Sequence, residues 1–350
     1  MMFPLGIIFG TRPEYLKVKP LFHLFNTESI PFIIIHVRQH TSLEIEESSE
    51  KNYRQIVLDD NDDISRLNSL GSSLLKKIEP SIRECKSILV QGDTSTVFFS
   101  ALSAFHLKIP IFHLESGLRT YDLENPFPEE AYRSMLSRIA TYHLCPDMSA
   151  SENLHKEFLT KNIFIVGNTI LDLVRSYGFT PTLGNTVLVT IHRRENWDNL
   201  SFIAESIYNL AEKYKNYTFV WVQHMNPILQ ATVNQVFERS VPLDNISRIL
   251  PTDHRTLCKY ISESYCIITD SGGIQEEASF LGKTCFVIRK LTERNSIPSE
   301  YIKLIHPPSE LTNIFQRTNI TMLPPCHVYG DGYSCNSIVS IVNELNSTKL

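Results

Sequence analysis

Apolar residues along this chain come in short unbroken runs, not in strict alternation with polar ones. Leu5–Phe9, Phe32–Val37, Ser87–Val90, Pro110–Leu114 and Ile163–Val166 form a first series. Val187–Ile191, Thr218–Val222, Cys266–Thr269 and Thr284–Ile288 form a second. Runs of this length, rich in Ile, Val and Phe, predict strands covered on both faces, as in parallel α/β sheets. The segments between them are long enough for crossover helices. The pattern predicts two doubly wound, Rossmann-like α/β domains facing a cleft, residues 1–168 and 169–334. The seam is expected near Val166–Leu183, because Ser176–Asn185 collects Gly, Pro and Thr. Ser337–Leu345 has helical apolar spacing, so residues 335–350 are expected to pack back on the first domain.

Length agrees with that division, since 350 residues suit two domains and 42% hydrophobic content gives each a core. A net charge of −5 argues against nucleic acid as a partner but leaves phosphate ligands open, because local Arg and Lys can bind them. The seven cysteines form no C-x-x-C pair and are odd in number, which predicts reduced, buried thiols in place of disulfides or structural zinc. The apolar start at Met1–Phe9 is short and lacks a basic lead, and no run reaches about 20 apolar residues; a cytoplasmic chain without membrane contact is expected. The acidic stretches Glu44–Glu50 and Asp59–Asp63 read as solvated surface.

Chemistry gathers where the strands end. Gly10-Thr11-Arg12, Gln91-Gly92-Asp93-Thr94, Glu115, His192-Arg193-Arg194-Glu195, His224 and Asp270-Ser271-Gly272-Gly273 each follow an apolar run. Ligands of open α/β sheets bind outside the carboxyl ends of strands, so two such sheets would pool these residues in one cleft. Ser271–Glu277 reads as a small-residue turn opening a helix, whose free N–H groups and dipole suit a phosphate. An ordinary tight turn with capping carboxylates fits the same residues; nearby Arg289 and Arg294 favour the anion site. Glu277, one turn in, could hold ribose hydroxyls. Arg12 and Lys17 flank a second helix start and could neutralise a diphosphate. No G-x-G-x-x-G follows a strand and no P-loop occurs, so no dinucleotide cofactor is expected. No H-E-x-x-H occurs and the histidines are scattered, so no metal is expected either. Asp93, Glu115 and Glu129 come from separate turns. Each alone reads as a cap or a surface charge; together with His192 they suggest acid–base work.

The motifs run almost end to end and resemble the non-hydrolysing UDP-N-acetylglucosamine 2-epimerase family. They are Gly10–Glu14 with Lys17 and Pro20, Gln91–Thr94, His113–Thr120, Pro126–Arg133, Gly167–Thr169, His192–Glu195, Thr269–Glu277, Thr292–Arg294 and Tyr329–Gly332. The resemblance implies the two-domain architecture of B-type glycosyltransferases, a homodimer, and interconversion of UDP-GlcNAc and UDP-ManNAc by elimination and re-addition of UDP through 2-acetamidoglucal, without a cofactor. It implies Asp93, Glu115, Glu129 and His192 as catalytic groups, and Arg12, Lys17, Ser271, Gly272, Gly273, Glu277 and Arg294 as the grip on UDP. Two positions depart from the family pattern. Leu257 stands where an aromatic residue often faces the uracil, and Thr41-Ser42 follows Gln39-His40 in a region where relatives can bind a second UDP-GlcNAc. A 2-epimerase for another UDP-HexNAc such as a 6-deoxy sugar, a glycosyltransferase of the same fold, and a non-catalytic UDP-sugar-binding protein remain as alternatives.

Overall fold

The computed structural model describes residues 4–38, 45–59 and 65–347. Gln39-His40-Thr41-Ser42 and most of the second acidic stretch lie outside the described residues. The chain divides into two compact units, Met1–Leu173 with Tyr329–Leu350, and Val174–Val328.

The first unit holds a seven-stranded parallel sheet. Its strands are β1 (Leu5–Phe9), β2 (Phe32–Arg38), β3 (Tyr53–Val57), β4 (Ser87–Gln91), β5 (Ile111–Leu114), β6 (Tyr142–Cys145) and β7 (Ile163–Ile165), in the order β3-β2-β1-β4-β5-β6-β7. Side chains alternate between the two faces. Leu5, Ile7, Phe9 and Leu89 join one apolar core, while Ile8, Ile88 and Val90 join another on the opposite side. Both faces are covered, which is why the sequence shows unbroken apolar runs. Each such aliphatic side chain contributes roughly 1.5–3 kcal/mol on burial.

The second unit repeats the plan with six parallel strands. They are β8 (Thr186–Thr190), β9 (Thr218–Val222), β10 (Ile246–Ile249), β11 (Ser264–Thr269), β12 (Cys285–Ile288) and β13 (Ile302–Ile305), in the order β10-β9-β8-β11-β12-β13. Val187, Val189 and Ile268 pack on one face; Leu188 and Ile267 pack on the other. In each sheet the strand order reverses once, between β1 and β4 and between β8 and β11. These are the topological switch points at which a doubly wound sheet opens a crevice at its carboxyl edge.

The C-terminal helix Ser334–Ser347 belongs to the first unit. Cys335, Ile338, Val339 and Val342 enter the core built on β1 and helix Arg12–Thr27. The Asp172 carboxylate accepts from the N–H groups of Ser334 (3.1 Å) and Cys335 (2.8 Å), an anion at a helix start. Gly167, at φ +86°, lets the returning chain pass: a Cβ there would stand 2.3 Å from Ser334 Oγ. Asn168 N–H then donates to the Tyr329 carbonyl (2.7 Å). The motifs Gly167–Thr169 and Tyr329–Gly332 are thus joined structurally. All seven cysteines are buried and free of disulfides. Among the described residues, no helix is long and apolar enough to cross a membrane.

Candidate functional site

In the first unit Glu115 stands one strand beyond the switch point, its carboxylate reaching back to Gln91 at the end of β4. It follows β5 directly and is 8% exposed, with its backbone held at φ +62°, a left-handed conformation rare for a residue with a side chain. Its Oε1 accepts from Lys17 Nζ (2.6 Å) and Asn168 Nδ2 (2.6 Å); its Oε2 accepts from Gln91 Nε2 (2.6 Å). Lys17 reaches across from helix Arg12–Thr27, and Gln91 closes β4. Three elements therefore fix one carboxylate, and an acceptor-only anion answers all three donors. Strain at an over-determined residue is a mark of a functional position.

The neighbouring groups follow from the same strand ends. Asp93 sits just past β4, partly exposed, and accepts from the Arg133 guanidinium at 2.5 Å. Arg133 lies one turn along helix Glu129–Ile139, beside Glu130 at 3.4 Å. Glu129 opens that helix and is half-buried. Arg12 is exposed at the first position of its helix, while Glu14 beneath it accepts from the N–H groups of Gly10 (2.6 Å) and Thr11 (3.1 Å). Burial pushes the Glu14 carboxyl above its usual range. His113 and His143 are core groups: burial holds them at about 3 and about 4, so both are neutral. His143 Nδ1 meets Ser116 Oγ (2.9 Å), and His113 Nε2 meets the Gly92 carbonyl (2.9 Å).

In the second unit Asp270 organises the switch point. It is fully buried after β11 and accepts from His192 N–H (2.9 Å), Arg193 N–H (2.9 Å) and Asn196 Nδ2 (3.0 Å). The loop after β8 is thereby pinned to β11. His192 is half-buried, its ring centroid 5.7 Å from that of His224. Burial pushes its pKa down, with Asp270 raising it and His224 lowering it further. Ser271 caps helix Gly272–Phe280, its hydroxyl accepting from Ile274 N–H (3.5 Å). A Cβ at Gly272 would stand 3.0 Å from Glu293 Oε1, so the turn has little room for a side chain.

Around this helix start the arginines are already engaged. Arg193 meets Glu293 (3.3 Å), Arg289 meets Glu195 (3.0 Å) and Glu293 (2.7 Å), and Arg294 meets Glu276 (2.5 Å) and Glu293 (3.1 Å). Lys17 is likewise paired with Glu115. Arg12 and Lys17 are the cations expected at the first helix start, Arg289 and Arg294 those expected near the second; Lys17, Arg289 and Arg294 each also brace a carboxylate.

Glu277 does not stand alone either. Its Oε1 lies 3.2 Å from His254 Nε2, and Cys258 Sγ lies 3.6 Å from its Oε2. His254 Nδ1 meets the Tyr177 hydroxyl (2.9 Å). Burial and Glu277 together push the Cys258 thiol well above its usual range. Leu257, beside them, is partly buried against the core.

Sequence reading missed Gln91, Asn168 and Arg133 as partners of the carboxylates, and Asp270 as organiser of the His192 loop. Gln91 and Asn168 lie inside recognised motifs, so their positions were a usable signal; their pairing was not. His254 and Cys258 carried only an i, i+4 spacing.

A family model for UDP-N-acetylglucosamine 2-epimerase matches residues 23–343. A Yersinia pestis protein named UDP-N-acetylglucosamine 2-epimerase is 33% identical, over 95% of this chain and 96% of its own. The crystal structure of UDP-GlcNAc 2-epimerase from Neisseria meningitidis bound to UDP-GlcNAc superposes with a TM-score of 0.87 at 28% identity, covering 97% of this chain and 100% of that one. The Methanocaldococcus jannaschii UDP-GlcNAc 2-epimerase in complex with UDP-GlcNAc and UDP gives 0.80 at 28% identity, over 97% and 99%.

Proposed function

The chain belongs to the UDP-N-acetylglucosamine 2-epimerase family, and from that premise we propose that it interconverts UDP-GlcNAc and UDP-ManNAc by eliminating and re-adding UDP. The C2 proton of the sugar is not next to a carbonyl and is poorly acidic, so direct exchange is difficult. Elimination avoids this: a base takes the C2 proton, the C1–O bond breaks toward UDP, and 2-acetamidoglucal is left. Re-addition returns UDP oxygen to C1 while an acid delivers a proton to the other face of C2.

Such a reaction needs a positioned base, an acid and a hold on UDP between the two halves. Glu115 or Asp93 moves the C2 proton, with Glu129 in support. His192, neutral at pH 7 because burial lowers its pKa, donates a hydrogen bond to the departing diphosphate. Ser271, Gly272 and Gly273 present helix N–H groups to the diphosphate. Arg12 adds positive charge, Arg294 holds the turn beside the diphosphate through Glu276 and Glu293, Lys17 orients Glu115, and Glu277 takes the ribose hydroxyls. The observation that carries the reading is Glu115, a buried carboxylate with a strained backbone, fixed by three donors at the carboxyl edge of its sheet. The same reading includes a homodimer working in the cytoplasm, the first of which sedimentation equilibrium checks.

Protein stripped with EDTA and supplied with UDP-GlcNAc but no NAD is expected to form UDP-ManNAc, seen by the anomeric proton signals. A folded protein that binds UDP yet forms none would overturn the reading.

A further inference from the structure

We propose that His254, Cys258 and Glu277 form a binding site for a divalent ion of the zinc type. Helix His254–Glu263 places His254 and Cys258 four residues apart, hence on one face. Glu277 comes from helix Gly272–Phe280, which shares a core with it through Cys258, Ile261, Ile274 and Ala278. The three donor atoms lie within 4.8 Å of one another. Pair by pair, His254 Nε2 is 3.5 Å from Cys258 Sγ and 3.2 Å from Glu277 Oε1, and Cys258 Sγ is 3.6 Å from Glu277 Oε2.

Those spacings have a physical meaning. Zinc bonds to N, O and S run about 2.0–2.3 Å, and a tetrahedron with such bonds has edges of roughly 3.3–3.7 Å. His254 Nε2 and Cys258 Sγ stand one such edge apart, and the Glu277 carboxylate spans them, Oε1 toward the histidine and Oε2 toward the thiol, so a turn of the carboxylate sets one oxygen as the third donor, all three lying within 4.8 Å. The second ring nitrogen of a metal-bound histidine usually has its own hydrogen-bond partner; here His254 Nδ1 meets the Tyr177 hydroxyl at 2.9 Å. Charge also balances. Binding expels the Cys258 proton to solvent, and thiolate and carboxylate then neutralise a dication where Cys258 and Glu277 are both buried. Three protein ligands leave a fourth position open, as in non-structural zinc sites.

The site has a consequence that rests on the proposed function. Glu277 is the group assigned to the ribose, so an ion and UDP contend for one carboxylate, and the ion acts as an inhibitor competitive with the nucleotide.

Cobalt(II) is the probe, titrated into the EDTA-stripped full-length chain after dialysis. One equivalent is expected to give a thiolate-to-cobalt charge-transfer band and the visible bands of tetrahedral cobalt. Cys258→Ala should abolish the charge-transfer band, while Cys85→Ala, in the other unit, keeps it; circular dichroism confirms both are folded. Tyr177→Phe should weaken cobalt binding about 10–100-fold, as loss of such an outer partner usually does. No charge-transfer band in the unaltered chain, or a band that survives Cys258→Ala, overturns the site. Added UDP should raise the apparent Kd for cobalt. If cobalt binds through Cys258 and UDP leaves its affinity unchanged, the metal site stands and the ribose role of Glu277 falls.

Discussion

Replacing Glu115 with Gln removes a proton acceptor while altering shape little, and the structure says what else changes. The side-chain oxygens accept from Lys17 and Asn168 on one side and from Gln91 on the other. An introduced amide can keep its carbonyl toward Lys17 and Asn168 and turn its NH2 toward Gln91, whose own amide can flip to accept. These three hydrogen bonds then survive, but the Lys17 ammonium, with a side chain 13% exposed, loses the charge of Glu115 at 2.6 Å. Removing one partner of a fully buried pair costs about 3–5 kcal/mol. A neutral acceptor left in place reduces that to the cost of a poorly satisfied polar group, about 1–3 kcal/mol. For a unit of this size each kcal/mol is worth roughly 2–4 °C, so a fall in melting temperature of about 2–12 °C is expected. Catalytic loss should be larger: acid–base groups contribute about 10²–10⁴-fold, or roughly 3–5 kcal/mol of barrier. Turnover measured well below the melting transition, beside UDP binding by calorimetry, separates the two effects. Glu115→Gln with near-normal kcat and intact fold would refute the assignment of proton transfer to Glu115; lost UDP binding would show that the residue acts through structure.

Four further outcomes follow from other parts of the molecule. His192→Ala should lower kcat about 10²–10³-fold, the usual cost of one donor to developing negative charge, and a loss under tenfold would remove His192 from UDP departure. Because burial lowers its pKa from 6.5 in the free protein, kcat/KM of the unaltered enzyme should show no His192-linked change above pH 6.5; one appearing there would contradict the neutral imidazole. Asp270→Asn places an NH2 against the N–H groups of His192 and Arg193, so stability should drop by about 1–3 kcal/mol in urea unfolding and UDP affinity should fall; unchanged values would dismiss its organising role. Burial raises the thiols of Cys85, Cys145, Cys258, Cys266, Cys285 and Cys335 above 9.0, so the unfolded chain loses these protons first. Their contribution is present below pH 9 and is lost as pH rises toward 12, at up to about 1.4 kcal/mol per pH unit for each thiol. Lys283, lowered to about 8 by burial, opposes this between pH 8 and 10.5. Denaturant midpoints should decline above pH 9; a flat profile to pH 11 would contradict the burial of the thiols.

The interior of both sheets was legible because strands covered on two faces leave continuous apolar runs. β1, β4, β8 and β11 were found on that signal, with ends shifted by at most two residues. The strands that were missed had weaker patterns for physical reasons. β3, β10 and β13 lie at sheet edges, where Arg54, Gln55, Ser247, Arg248 and Leu304 face solvent. β6 is interior but spans four residues, one of them His143, whose burial relies on Ser116. The location of the chemistry was legible too, since a parallel sheet puts its ligand groups after strand ends. Partnership was not: Glu115 meets Asn168 across 53 residues, Gln91 across 24 and Lys17 across 98. Contacts at such separations are set by strand order, which a single sequence does not display. Glu277 illustrates the same limit, as its nearest chemistry lies on the preceding helix.

In the proposed reaction UDP leaves and returns during epimerisation. Positional isotope exchange tests it most directly. UDP-GlcNAc labelled with oxygen-18 in the bridge between C1 and the β-phosphorus is incubated with enzyme and examined by phosphorus NMR. Elimination frees the β-phosphate to rotate before re-addition, so label should scramble into the non-bridging positions of both epimers as UDP-ManNAc forms. Epimerisation with the label confined to the bridge would mean that the C1–O bond never breaks, and would contradict the account.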